Sequence, residues 1–264
     1  MITFDLNISI TMPGLPYARR IDEAARMGFT AVELWWPRGE DLGALARRVS
    51  DAGLSVALIN FDGGDLAAGE RGFLNDPVRQ AEFRASAPAA LDLARRLGCH
   101  QLNALVGRWL PGEPRESQLA RVRENLTWVC DLAAHAGVTV LLEALNSWET
   151  PAYMLTSTAD SLAMIDSVGA PNLALQYDVY HMQRMEGNIC ATVAAHAGRI
   201  GHIQFADSPG RGQPGTGELN FPFIFQAIED SGYTGYVGAE YLPRGSLEES
   251  LGWLRRAGEA PDQA

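Results

Sequence analysis

Four oxygen-bearing side chains stand at the ends of apolar runs in the second half of the chain. The runs read Val140-Leu-Leu-Glu143, Ala174-Leu-Gln-Tyr-Asp178, His202-Ile-Gln204 and Val237-Gly-Ala-Glu240. The intervals from 143 to 178, 178 to 204 and 204 to 240 each match about one strand–helix unit. Glu143, Asp178, Gln204 and Glu240 are therefore predicted to reach one place, each carried by its own strand. Three carboxylates and an amide oxygen are hard ligands, which suit Mg2+ or Mn2+ and offer no thiolate to select zinc. Carboxylates gathered this closely repel one another unless a cation lies among them. A lone glutamate at a strand end is usually solvated or salt-bridged; four oxygen donors on successive strands are not readily explained that way. The chemistry this pattern predicts is that of one divalent metal polarising substrate oxygens.

Several further residues have types that suit such a site. His181 follows Asp178 by three residues and reads as a ligand, a donor to substrate or a structural histidine. His202 lies two residues before Gln204, so both face the same way, as a ligand or as the partner of one. Arg211 lies in a Gly- and Pro-rich loop, and Arg71 lies in Ala68-Gly-Glu-Arg-Gly72. Either could grip a carboxylate with two parallel N–H bonds, or simply be solvated. Asn7 and Asn60 end the first and third β runs, and Trp35 and Trp36 follow the second.

The elements that must position these residues alternate from end to end. Strands are predicted at 2–8, 31–35, 55–60, 101–105, 139–144, 173–178, 200–205 and 236–240. Between them, Ala87, Ala90, Leu91, Ala94 and Leu97 repeat at helical spacing, as do Leu119, Val122, Leu126, Val129 and Ala133. Glycine stops follow Met27, Ala52, Leu97 and Ala136, where a helix ends before the next strand. Eight strand–helix units imply a parallel sheet, and polar residues at the ends of several strands favour a closed (β/α)8 TIM barrel. No GxGxxG follows the first strand, so no nucleotide cofactor is expected. Loops 61–76, 106–114 and 206–220 are long and are expected to cover one rim. One domain over 1–264 is expected, with residues 258–264 fraying.

The bulk properties agree with a small-molecule enzyme. A chain of 264 residues fits one α/β barrel, which typically takes about 250. The net charge of −11 opposes a nucleic-acid partner, which calls for a dense basic surface. The cysteines Cys99, Cys130 and Cys190 form no CxxC pair and read as free thiols of a cytoplasmic protein. The opening MITFDLNISI reads as a strand and not as a signal peptide, and no apolar run is long enough to span a membrane. Barrels of this kind often form homo-oligomers, but no interface signal stands out.

Longer motifs carry a resemblance. The segment Gln176-Tyr-Asp-Val-Tyr-His-Met-Gln-Arg-Met-Glu-Gly187 resembles hydroxypyruvate isomerases, as do Ala68-Gly-Glu-Arg-Gly72, Gly201-His-Ile-Gln204 and Pro214-Gly-Thr-Gly-Glu-Leu-Asn220. The similarity runs from Phe4 to about Trp253, and the wider group is the xylose-isomerase-like barrel superfamily. The resemblance implies a metal held by Glu143, Asp178, Gln204 and Glu240, with Glu143 and Glu240 as the acid/base pair. It implies that His181 and Arg211 contact substrate oxygens; Arg71, Asn7, Asn60 and His202 join them as candidate substrate contacts. The implied reaction interconverts hydroxypyruvate and 2-hydroxy-3-oxopropanoate. A sister group acting on 2-oxo-tetronates shares the ligands, and Pro243-Arg-Gly245 resembles that group. Keto-sugar 3-epimerases share them too.

Overall fold

The computed structural model describes residues 1–66 and 68–257, and the expected fraying at 258–264 lies outside them. Eight parallel strands close a barrel in sequence order. They are β1 (Thr3–Asn7), β2 (Ala31–Leu34), β3 (Ser55–Asn60), β4 (Gln101–Asn103), β5 (Thr139–Glu143), β6 (Leu173–Asp178), β7 (Ile200–Phe205) and β8 (Tyr236–Ala239). Closure comes from β1, which pairs with β2 on one side and with β8 on the other. Five strands are one or two residues shorter than the sequence predicts. At those ends the chain makes a last ladder bond and then leaves the sheet. The Ala104 N–H, for example, donates to the Leu141 carbonyl, and the Glu240 N–H donates to that of Phe205.

Helices cover the outside. The crossovers carry α1 (Tyr17–Arg26), α2 (Leu42–Asp51), α3 (Gln80–Leu97), α4 (Arg115–Ala134) and α5 (Thr158–Val168). The β6–β7 crossover holds two, α6 (Val179–Met185) and α7 (Ile189–His196), and α8 (Phe221–Asp230) precedes β8. Short helices α9 (Leu247–Ser250) and α10 (Gly252–Ala257) follow. The predicted helical repeats bury as expected: Ala87, Ala90, Leu91 and Ala94 on α3, and Val122, Leu126, Val129 and Ala133 on α4. Helix α3 ends at Gly98, whose φ of 63° is left-handed backbone that costs other residues energy.

Strand side chains alternate between two environments, because successive residues point to opposite faces. Leu6, Val32, Ile59, Leu102, Val140, Leu142, Leu175, Ile203 and Val237 join the apolar core beneath the helices. The alternate positions hold Asp5, Asn7, Glu33, Asn60, Asn103, Glu143, Gln176, Asp178, His202 and Gln204, all buried polar residues. The barrel thus keeps its apolar core outside the sheet and collects polar side chains within. Each buried polar group needs a partner, which makes this interior a connected hydrogen-bond network.

Candidate active site

The strand register sets the site. Glu143 pairs with Gln176 across β5 and β6, and Asp178 pairs with Gln204 across β6 and β7. Asp178 also starts α6: its Oδ1 accepts from the N–H groups of Tyr180, at 2.7 Å, and His181, at 3.3 Å. That fixes the carboxylate and leaves Oδ2 buried with no hydrogen-bond partner. Glu143 Oε2 accepts from Asn103 Nδ2 at 2.9 Å. Glu240 Oε1 accepts from Asn7 Nδ2 at 2.9 Å and from Trp35 Nε1 at 3.0 Å, while its Oε2 faces Arg211 Nη2 at 2.5 Å. Gln204 Oε1 accepts from Gln176 Nε2 at 2.6 Å, and its Nε2 donates to Glu33 Oε1 at 2.7 Å.

His181 has a defined protonation. Its Nδ1 accepts from the Asn146 backbone N–H at 3.1 Å, so the neutral ring carries its proton on Nε2. Nε2 lies 3.5 Å from Asp178 Oδ2. Burial, with Arg211 and Arg71 nearby, holds the His181 pKa well below its usual value. Donor atoms of Glu143, Asp178 and His181 lie within 4.8 Å of one another. A ring with its Nε2 protonated is a donor to oxygen and not a metal ligand.

Burial and mutual repulsion shift the acids of the site. Burial, then Glu240 and Asp178, pushes the Glu143 carboxyl well above the ordinary carboxylate range. Burial lifts Asp178 to about 6 against the pull of Arg211 and two backbone N–H groups. Burial likewise lifts Glu240 to about 7, with Arg211 opposing and Asp178 and Glu33 adding to the rise. Arg211 remains a cation: burial disfavours its charge, but Glu240, Asp178 and Glu143 more than compensate. Arg71 is held below the usual arginine value by burial and by the charges of Arg211 and Arg108. Two mutually repelling guanidinium groups beside one space favour an anion between them.

That space is a cavity of about 70 Å³. Its lining includes Trp35, Asn60, Arg71, Glu143, Gln176, His181, Arg211 and Glu240. The β7–α8 loop presents Arg211 at a φ of 52°, an uncommon conformation for a residue with a side chain. Asp207 anchors that loop by accepting from the N–H groups of Gly215, Gly217 and Leu219. Arg71 comes from the β3–α3 loop, where its Nη1 donates to the carbonyls of Leu66 and Glu70.

Two expected substrate contacts are not on the cavity wall. Asn7 spends its amide on Glu33, Glu240 and the N–H groups of Ser9 and Ile10. His202 is fully buried, with Nε2 against Glu33 Oε2 at 2.6 Å. Both support other residues of the site. Trp36 packs against the apolar core, whereas Trp35 reaches the cavity.

Glu33, Asn103 and Gln176 also belong to this network, and each follows the strand-end or alternate-residue pattern that singles out the others. Asn146, Glu149 and Thr150 come from the β5–α5 connection, 144–157, which is not among the loops expected to be long. Glu149 and Thr150 line the cavity.

Comparison with known proteins places this architecture. Residues 21–257 match the family model described as xylose isomerase-like TIM barrel. The chain is 40% identical to the hydroxypyruvate isomerase of Escherichia coli (strain K12), covering 96% of this chain and 98% of that one. It is 38% identical to a 2-oxo-tetronate isomerase of Cupriavidus necator, covering 97% and 98%. A crystal structure described as an AP endonuclease, family 2, from Brucella melitensis superposes with a TM-score of 0.92 at 36% identity, covering 97% and 99%. The chain belongs to the xylose isomerase-like TIM barrel family and, within it, is an isomerase of the hydroxypyruvate isomerase group.

Proposed function

We propose that the chain interconverts hydroxypyruvate and 2-hydroxy-3-oxopropanoate, using one divalent cation, Mg2+ or Mn2+, held by Glu143, Asp178, Gln204 and Glu240. The observation that carries this reading is the unpartnered, buried Asp178 Oδ2 among acids whose ionisation burial opposes. Its nearest cation is Arg211 Nη2 at 3.8 Å, too far for a hydrogen bond, so a buried carboxylate oxygen is left unsatisfied, which is costly unless a closer cation binds it. The donor set fits: all four residues are buried and offer hard oxygens. When bound, the cation supplies Lewis-acid stabilisation of negative charge on the substrate oxygens.

The protein groups divide the remaining work. Arg71 and Arg211 bind the substrate carboxylate. His181 Nε2–H donates to a substrate oxygen and stays neutral. One of Glu143 and Glu240 removes a proton from the carbon beside the carbonyl, which leaves an enediolate. The other returns a proton to the former carbonyl carbon, and the hydroxyl proton moves to the neighbouring oxygen. No electron leaves the substrate, so the step needs no oxidant or reductant.

A 2-oxo-tetronate is the second reading, supported by the relative of that name at 38% identity. The same proton shuttle serves it. A substrate panel of hydroxypyruvate, a 2-oxo-tetronate, a free ketose and abasic-site DNA separates the readings. Hydroxypyruvate is expected to give the highest kcat/KM and the DNA no cleavage. Preferred turnover of a ketose, or cleavage of the DNA, would overturn the assignment.

A further inference from the structure

Glu33 is a fully buried carboxylate that takes no part in the proton shuttle, yet three polar side chains hydrogen-bond to it. Its Oε1 accepts from Gln204 Nε2 at 2.7 Å and from Asn7 Nδ2 at 2.9 Å. Its Oε2 faces His202 Nε2 at 2.6 Å. Gly238 leaves room for this arrangement, since a Cβ there would fall 2.7 Å from Glu33 Oε2.

An amide can present either its oxygen or its nitrogen, and its neighbours decide which. A carboxylate only accepts, so Glu33 holds the nitrogen of Gln204 and turns Oε1 the opposite way. Gln176 Nε2 reinforces that choice by donating to the same Oε1. The Asn7 amide nitrogen, shared between Glu33 Oε1 and Glu240 Oε1, extends the control to a second donor. His202 occupies Oε2 and keeps Oε1 for the two amides.

We propose that Glu33 is a positioning residue that sets the Gln204 amide with its oxygen toward the cation and, through Asn7, orients Glu240. The inference rests on the reading of Gln204 and Glu240 as cation ligands.

The test is Mn2+ titration by calorimetry on the purified protein, with thermal melting to follow the fold. Glu33→Gln places a second amide against Gln204, and the two nitrogens conflict unless one amide turns. Glu33→Asp keeps the charge but withdraws the oxygens by one methylene. Both variants are expected to bind Mn2+ about 10–100-fold more weakly, the usual effect of losing a residue that orients a metal ligand. A purely electrostatic role would spare Glu33→Asp. The double variant Glu33→Gln/Gln204→Glu exchanges amide and carboxylate. The new amide nitrogen can then donate to residue 204 while its oxygen still accepts from His202, at unchanged total charge; the same nitrogen meets the donor Asn7 Nδ2, so only the contact to residue 204 is restored. The double variant is expected to bind Mn2+ more tightly than Glu33→Gln and more weakly than wild type. If Glu33→Gln does not fold, Glu33→Asp carries the test, and if Glu33→Asp does not fold, Glu33→Gln measured against the double variant carries it. Wild-type affinity in Glu33→Asp, or a double variant no tighter than Glu33→Gln, overturns the proposal. A wild-type protein that binds no Mn2+ overturns the underlying cation reading instead, so the two failures are distinguishable.

Discussion

Arg211 Nη2 lies 2.5 Å from Glu240 Oε2, so a candidate substrate clamp and a candidate proton carrier are one hydrogen bond apart. The same nitrogen is 3.8 Å from Asp178 Oδ2. Arg211 also stands 5.3 Å above the Tyr180 ring, which gives its flat guanidinium a face to rest on. Lysine keeps the charge but not the planar fork. Arg211→Lys is expected to raise KM for hydroxypyruvate by about tenfold or more, since a charged hydrogen bond contributes about 1.5–3 kcal/mol. Steady-state kinetics check this, and an unchanged KM would remove Arg211 from the clamp.

Glu143→Gln and Glu240→Gln are each expected to lower kcat by about 10²–10⁴-fold, the usual contribution of a positioned general acid or base. Glu143→Gln should not lower the melting temperature of the metal-free protein, because an amide removes an acid whose ionisation burial opposes, whereas Glu240→Gln should lower it, because buried Arg211 loses its counter-charge. The matching readout is exchange of the C3 hydrogens of hydroxypyruvate with D2O, followed by NMR. Exchange is expected to be lost in the variant of the glutamate that takes the C3 proton; near-native exchange in both variants, or near-native kcat in either, contradicts the assigned roles.

The raised acid pKa values give the metal-free protein an unusual pH dependence. Asp178 at about 6 and Glu240 at about 7 lie above their ordinary values of 3.8 and 4.5. Glu143 is raised as well. The folded protein therefore holds protons that the unfolded chain has released. Their stabilising contribution is complete below about pH 4 and is lost as pH rises through about 7. Melting temperature without metal, with EDTA present, should fall between about pH 5 and 8 in this respect, and saturating Mn2+ should flatten that fall. Identical slopes with and without metal would mean that these acids do not face the cation.

Much of this was legible in the sequence, for identifiable physical reasons. Strand–helix alternation is a periodicity of 2 set against one of 3.6, and it located all eight strands, with β3, β6 and β7 matching end to end. Polar residues closing apolar runs pointed to one end of the barrel, and of those residues Glu143 and Glu240 line the cavity. What was hidden is how buried polar groups pair with one another. Asn7 at the end of β1 has the same local signature as Asn60 at the end of β3. Yet Asn7 is consumed by Glu33 and Glu240, while Asn60 lines the cavity. That difference arises between strands far apart in sequence, where spacing carries no information. Glu33 was hidden for the same reason: its partners lie on β1 and β7, and its room comes from Gly238 on β8.

On the proposed reading, side-chain oxygens from four successive strands serve one cation. The direct measurement strips the protein with EDTA, titrates it with Mn2+ by calorimetry and assays hydroxypyruvate turnover on the same samples. One Mn2+ per chain is expected, with no turnover in the stripped protein and recovery that tracks occupancy. Full turnover with no bound metal would contradict it.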